Sequence, residues 1–390
     1  MTVWIIEPRD PLVFRDGRPF EAVPGAMASS LPFPFPSTTS GAVRTREGQD
    51  SQGKFQEEAI SRVKEIPIQG PLLVEIDDET NDISRYLVQA PSDALLLESG
   101  SSSNAKADLR HLVPLETNPE RATDLPDGLH LVGAPMPDLR KPSERAPRYW
   151  YWEFFEEWLI DPKEGEIVLS DVGHDGPVRE VRTHVGINAE TKTADVERGA
   201  LFQTRGLEFT FPSSEPHLAH TRRLALTVET DAPNLRDGLG FLGGERRLAM
   251  WRKSEKTMPR CPSSLRENIV KDRHCRLILL TPAYFKSGYK PEHLLQPTMG
   301  VTTRLCAIAV RRPQVVSGWD LDLREPKPAR RLAPSGTVLF LKLEGEDQAI
   351  ATWVDAMWMS CVSDEQQDRL DGFGLAALGV WDGISRRMEV

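Results

Sequence analysis

Short apolar runs broken by glycine and proline recur along the chain, which predicts many strands and few helices. Val3–Ile6 is the first such run, closed by Glu7-Pro8 where proline stops pairing. Leu12-Val13-Phe14 lies between the turn signals Asp10-Pro11 and Asp16–Pro19, Ile66–Val74 reads as a strand entering an acidic section, and Leu224–Val228 as a strand of a first sheet. A second unit begins near Arg260-Cys261-Pro262, with strands at His274–Leu280, Leu305–Val310 and Gly336–Leu343. Ser363–Leu370 is polar, with a serine cap and an acidic first turn, and predicts a helix. A final buried strand, Asp371–Trp381, is interrupted by Gly372, Gly374 and Gly379. The second unit therefore has a βαββαβ-like order.

Two stretches have other periods. Gly176–Asn188 alternates strictly, strand character resumes at Ala200 and runs through Phe211, and the two predict a long hairpin arm over about 176–212; a solvated ribbon is the plainer alternative. Tyr149–Leu159 is the most aromatic stretch and, as a helix, is apolar on much of its circumference. Glu153, Glu156 and Glu157 would repel phosphates there, so a core or subunit interface fits better than a base-stacking platform. Residues 47–175 carry strand and linker signals without a clear plan and are expected to be an irregular insertion.

Net charge is −10, from 48 Lys+Arg against 58 Asp+Glu, which argues against a general nucleic-acid binder. The distribution changes that picture. Residues 71–128 hold twelve acids and four bases, whereas residues 236–260 and 301–338 each hold seven bases and three acids. Such segregation suits a chain with one face for a polyanion and an acidic section for a protein partner. Four cysteines without a CxxC pair suit a reducing compartment, and no apolar run approaches a membrane span, so cytoplasmic residence is expected.

Glycine-opened backbone beside arginine is the strongest candidate chemistry. Gly372 and Gly374 resemble the start of a dinucleotide fingerprint, but a helix precedes them and the chain ends soon after, an order found in RRM-type RNA binders instead. Gly238–Gly244 leads into Arg246 and Arg247, with Trp251 offering a stacking face. The proline lead-in Ser30–Pro36 holds the chain extended, and the hydroxyls of Ser37 and Thr38 are placed to cap a helix beginning near Thr38. Free amides at that end would face an anion, with Arg44 and Arg46 close by; the alternative is a lead-in that merely packs on the sheet. A basic loop immobilised by proline carries Arg330 and Arg331.

Catalytic readings are weaker. His174-Asp175 is the dipeptide of metal phosphohydrolases but lacks evident upstream ligands. Cys261, His274 and Cys275 lack a fourth zinc ligand and close spacing. His184, or His220 near Arg222 and Arg223, could act as the general base of a metal-independent ribonuclease. No metal or cofactor is expected.

Several segments jointly resemble one family. Ile6–Pro11, Arg15–Phe20, Ser30–Thr38, Arg182–Ile187, Gly243–Arg247, Gly318–Asp320 with Lys327–Arg331, and the terminal glycines are similar to the third-subunit family of the Cmr (type III-B) CRISPR effector complex, a Cas-five-like group of the RAMP superfamily. The resemblance implies an α+β chain of two ferredoxin-like (RRM-like) domains packed together, 1–258 with the insertion and the hairpin thumb, and 259–390 with the glycine-rich loop. It implies a non-catalytic subunit that grips the 5′ tag of the guide RNA, docks the large polymerase-like subunit and a backbone RAMP subunit, and meets target RNA only indirectly. The RNA contacts it implies are Ser37, Thr38, Arg44 and Arg46 in the first helix, Arg182 and His184 on the thumb, and Gly243, Gly244, Arg246 and Arg247. Arg330, Arg331, Gly372, Gly374 and Gly379 complete the set. A guide-processing ribonuclease of the same superfamily, with His184 as base, stays open as the rival.

Overall fold

The computed structural model describes residues 1–14, 27–28, 30–99, 105–116, 123–194, 201–211, 221–317, 319–320, 325–326 and 328–388. The motif Arg15–Phe20, the arm's tip at 195–200 and its end at 212, His220, Gly318 and Lys327 lie outside these residues. The principal elements are β1 (Thr2–Pro8), α1 (Pro36–Glu47), β2 (Ile68–Ile76), β3 (Ile83–Gln89), β4 (Tyr149–Tyr151), α2 (Trp152–Ile160), β5 (Val178–Val185), β6 (Leu201–Glu208), β7 (Arg222–Thr230), β8 (Gly238–Phe241), β9 (Leu248–Lys253), α3 (Ser263–Asp272), β10 (His274–Leu279), β11 (Thr302–Ala309), β12 (Val338–Glu344), α4 (Asp347–Met357), α5 (Gln366–Asp371) and β13 (Ala376–Val380). The fold is mixed α+β and rich in sheet.

Among the described residues a nine-stranded sheet runs β4-β3-β2-β7-β1-β9-β8 through its main part, and a four-stranded sheet runs β11-β12-β10-β13. β1 pairs antiparallel with β7 and β9, and β7 with β2. Every neighbouring pair of the second sheet is antiparallel.

The unbroken apolar run in β1 follows from burial on both faces. Val3 and Ile5 join Ile278, Phe340 and Ala377 of the second sheet in one shared core, which Phe155 and Leu159 of α2 complete. Trp4 and Ile6 face the other way, onto Val43 of α1. In the second sheet Leu277, Leu339 and Leu378 pack against α3 and α4. The layers are therefore α1, first sheet, second sheet, then α3 with α4. Each fully buried side chain of this kind contributes on the order of 1.5–3 kcal/mol.

Several expectations change. Residues 68–89, inside the stretch expected to be an insertion, supply β2 and β3, and β2 lies between β3 and β7. Its run of buried residues is what a two-faced central strand needs. The second unit's helical layer is α3 and α4, with Ile350, Trp353 and Val354 of α4 buried at helical spacing. The helix expected at 363–370 is the six-residue α5, which begins at Gln366. The aromatic run splits into β4 and α2, both buried in the core. The hairpin arm forms, with β5 paired to β6 from Val178↔Glu208 to Val185↔Leu201.

Among the described residues no helix is long and apolar enough to cross a membrane.

Candidate nucleic-acid interface

α1 begins at Pro36 rather than near Thr38, because proline's fixed φ suits the first helical position. Phe35 is the N-cap and no side chain caps it. The hydroxyls of Thr39 and Ser40 donate back to the carbonyls of Pro36 and Ser37, at 3.0 and 3.3 Å, so the hydroxyl run does not serve the helix end as expected. Ser37 is exposed and Thr38 half-buried.

Arg44 and Arg46 lie in the last turn of α1, not beside its free amides. From Pro36 to Arg44 the axis rises roughly 12 Å. Cations at that end complement the helix dipole. Arg44 is mostly buried; its Nη1 bonds to Asp371 of α5 and its Nη2 donates to the carbonyls of Ile66 and Leu370 at 3.2 Å. The guanidinium is a strut between α1, the start of β2 and α5. Arg46 donates to the carbonyls of Leu239 (2.8 Å) and Arg236 (2.7 Å) and lies 5.4 Å from the Trp251 ring centroid. It thereby bonds to carbonyls along β8, the end strand of the sheet among the described residues, and burial, the largest influence, lowers its pKa.

The loop after β8 faces α1 across a groove of about 640 Å³. Thr38, Ala42, Thr45, Arg46 and Gln49 form one wall, and Leu239, Phe241, Gly243 and Gly244 the other, with Val13 and Phe14 below. Two segments nearly 200 residues apart, each singled out for RNA contact, thus share one cleft. Gly243 has φ +76°, and a Cβ there would meet the Val13 carbonyl at 2.7 Å, while Gly244 N–H donates to that carbonyl at 2.8 Å. These glycines let the loop press onto Val13. Arg246 is exposed, with its guanidinium carbon 4.8 Å from the Phe241 ring centroid, whereas Arg247 is paired with Glu245 at 2.8 Å.

The terminal glycines do not open backbone to a ligand. Gly372, Gly374 and Gly379 are all buried. Gly372 caps α5 at φ +96°, where a Cβ would lie 2.5 Å from the Gly70 carbonyl. The amides of Phe373, Gly374 and Leu375 are satisfied by the Asp368 carbonyl, the Pro282 carbonyl and the Thr281 hydroxyl. Gly379 makes room for Arg276, whose Nη2 would stand 3.0 Å from a Cβ. Close approach between the two sheets, not phosphate access, explains this loop.

Arg330 is engaged as well: Nη1 binds both carboxylate oxygens of Asp368, at 2.9 and 2.8 Å, and the guanidinium lies 4.9 Å from the Tyr284 centroid. Arg331 is exposed. On the arm, Arg182 pairs with Glu180 at 3.0 Å, and His184 Nε2 meets the Thr204 hydroxyl at 2.8 Å while its ring stacks on Phe202.

Sequence reasoning missed the arm's root. His174 is buried there; Nδ1 accepts from Gly176 N–H at 2.9 Å, which leaves Nε2 to donate to Glu75 Oε1 at 3.2 Å. Its ring stacks on Phe211, 4.2 Å away, and Glu75 also takes bonds from Tyr151 and Arg222. One imidazole thus joins both ends of the hairpin, a role that only the register of distant strands reveals. Burial, the largest influence, would raise the Glu75 pKa, but the His174 and Arg222 bonds bring it below the ordinary value.

The family model for CRISPR-associated protein (Cas_Cmr3) matches residues 4–381. No curated protein matches the chain by sequence. Among solved structures, a chain of the type III-B Cmr-beta complex bound to cognate target RNA and AMPPnP is similar at 13% identity and TM-score 0.44, covering 91% of this chain and 88% of that one. A chain of Cmr-beta bound to cognate target RNA is similar at 15% identity and TM-score 0.46, covering 87% and 86%. A chain of the type III-A Csm3-Csm4 subcomplex gives 10% and 0.34, covering 89% and 94%. Because the family model matches from the first strand through the last, this chain belongs to the CRISPR-associated Cas_Cmr3 family.

Proposed function

We propose that the chain is a non-catalytic RNA-binding subunit of a type III-B CRISPR effector complex. It grips the 5′ tag of the guide RNA and bridges the large polymerase-like subunit to the first backbone RAMP subunit, in the cytoplasm. The observation that carries this reading is the groove in which α1 and the 238–247 loop meet, lined by Thr38 and Arg46 on one side and Gly243 and Gly244 on the other. Arg246 and Arg331 are exposed cations suited to phosphodiesters, with Ser37, Arg182, His184 and Arg247 as further contacts. Arg44, Arg330 and the terminal glycines serve by holding the frame.

Each sheet contains the strand order of a ferredoxin-like unit: β2-β7-β1-β9 in the first and β11-β12-β10-β13 in the second. Those orders support two such domains, 1–258 and 259–390. The exposed acids of the 71–128 section, Asp78, Glu79, Glu98, Glu116, Asp124 and Asp127, disfavour RNA and suit protein docking. The contacts of His184, a hydroxyl and an aromatic ring, are uncharged and favour a binding role over a general base.

In the assembled complex, Arg246→Ala/Arg247→Ala weakens guide-RNA retention, and the dependence of affinity on salt falls by about 0.7 in log–log slope for each phosphate left without its cation. Retention and slope equal to the parent complex would overturn the assignment.

A further inference from the structure

We infer that a second groove, beside α2, docks a basic segment of another protein subunit. The inference rests on the reading of the chain as part of a multi-subunit complex and adds where, and by what chemistry, one partner is held. The groove, of about 600 Å³, lies between α2 and the strand pair Lys106–His111 and Gly165–Val168. The register sets Ile167 opposite Ala107 and Gly165 opposite Leu109. Ala107 and Leu109 are buried, so Ile167 shares their face, and with half-buried Phe154 and Ile160 it gives the groove an apolar floor. Glu166 is on the other face of the pair, where Lys106 meets it at 2.6 Å, and takes no part.

The rim is acidic. Glu157 and Glu164 are exposed and have no ion pair among the described residues, while Asp161 has only the exposed Lys163 at 3.4 Å. Glu164 Oε1 accepts from His111 N–H at 2.9 Å, which fixes that carboxylate at the mouth. These acids stand where a helix favours cations. Glu157 lies in the last turn of α2 and Asp161 is its C-cap, four residues on, so like charges adjoin at the negative end of the dipole; no basic residue occupies that turn. α1, by contrast, carries Arg44 and Arg46 at the same place. Uncompensated carboxylates beside an apolar floor are complementary to a segment with cations and one apolar anchor. Four helical residues rise about 6 Å, and every second residue of an extended chain recurs at about 6.4–6.8 Å. A Lys/Arg-x-Lys/Arg segment therefore matches Glu157 and Asp161, with the residue between turned to Phe154 and Ile167. The same acids repel RNA, and a second copy of this chain, at net charge −10, is repelled as well. Among the described residues no group of three or more His, Cys, Asp or Glu is placed to hold a metal. α2 and α1 pack on opposite faces of the first sheet, so a partner here leaves the α1 groove free.

The test uses the reconstituted complex, with its carboxylates labelled by a water-soluble carbodiimide and glycine ethyl ester. Glu157 and Glu164 are expected to label at least about tenfold more slowly than the exposed Glu58, before and after ribonuclease digestion. Native mass spectrometry after salt washes then shows Glu157→Lys/Glu164→Lys losing one other subunit roughly tenfold more readily than the parent, with Glu157→Gln/Glu164→Gln in between. Both side chains are exposed, so an unchanged melting temperature separates lost docking from lost folding. Labelling at the Glu58 rate, or parent-like retention of every subunit by the lysine variant, overturns the docking site. Protection that vanishes with the RNA, or a loss confined to a second copy of this chain, overturns it too. In each of these cases a chain that still assembles with guide RNA and subunits leaves the complex reading standing; a parent chain that fails to enter the complex overturns both.

Discussion

The Arg276 guanidinium meets Asp93 Oδ2 at 2.6 Å, with both side chains fully buried between the two sheets. Arg276 also donates to the carbonyls of Trp158 (2.6 Å) and Val380 (2.8 Å), so one cation ties β10 to α2 and β13. Asp93→Ala leaves that cation buried and unpaired, and is expected to cost about 3–5 kcal/mol. Replacing both partners with apolar residues, as Asp93→Leu/Arg276→Met, costs far less. Denaturant unfolding of the three proteins checks the ordering.

The same pair makes stability depend on pH. Burial, the largest influence, raises the Asp93 pKa, but Arg276 and His111 outweigh it and hold it at about 2. The unfolded carboxyl titrates near ~3.9, so the folded value is the lower one. Its contribution is fully present above ~4 and is lost as pH falls from there toward about 2. Unfolding midpoints measured from pH 6 to 2 fall more steeply for the parent protein than for Asp93→Asn.

Gly372→Ala separates framework from contact. A Cβ at φ +96° would press into the carbonyls of Gly70 (2.5 Å) and Ile68 (2.9 Å). A loss of about 2 kcal/mol or more is expected. RNA affinity per folded molecule stays unchanged. Arg246→Ala has the opposite signature, with an unaltered melting temperature and weaker binding.

His174→Ala removes the link between the two ends of the arm. Amide exchange over Val178–Val185 is expected to accelerate, while β10–β13 keep their protection. Exchange mass spectrometry resolves the two regions. Equal rates in the arm would show that strand pairing alone sets its posture.

Much of this architecture was legible along the chain. The apolar runs located β1, β2, β10, β12 and β13, and the alternation at Gly176–Asn188 marked the arm, because a strand's period depends only on its own faces. The buried triplet Ile350, Trp353 and Val354 has helical spacing too, a signal that could have located α4. The motif set pointed to the family ahead of the fold.

What the arginines and glycines do was not legible. Arg44 and Asp371 are 327 positions apart, and Arg330 and Asp368 are 38 apart, yet each pair forms one contact. A basic motif records a charge but not the carboxylate that neutralises it. A glycine records freedom but not whether a ligand or a neighbouring carbonyl comes close. The sequence by itself determined the strands with unbroken apolar runs, the arm and the family, since those depend on local periodicity and on residues in fixed order. Only the tertiary structure decided which cations stay exposed at the groove and which glycines are buried between sheets, because pairing and close approach depend on distances that chain folding sets.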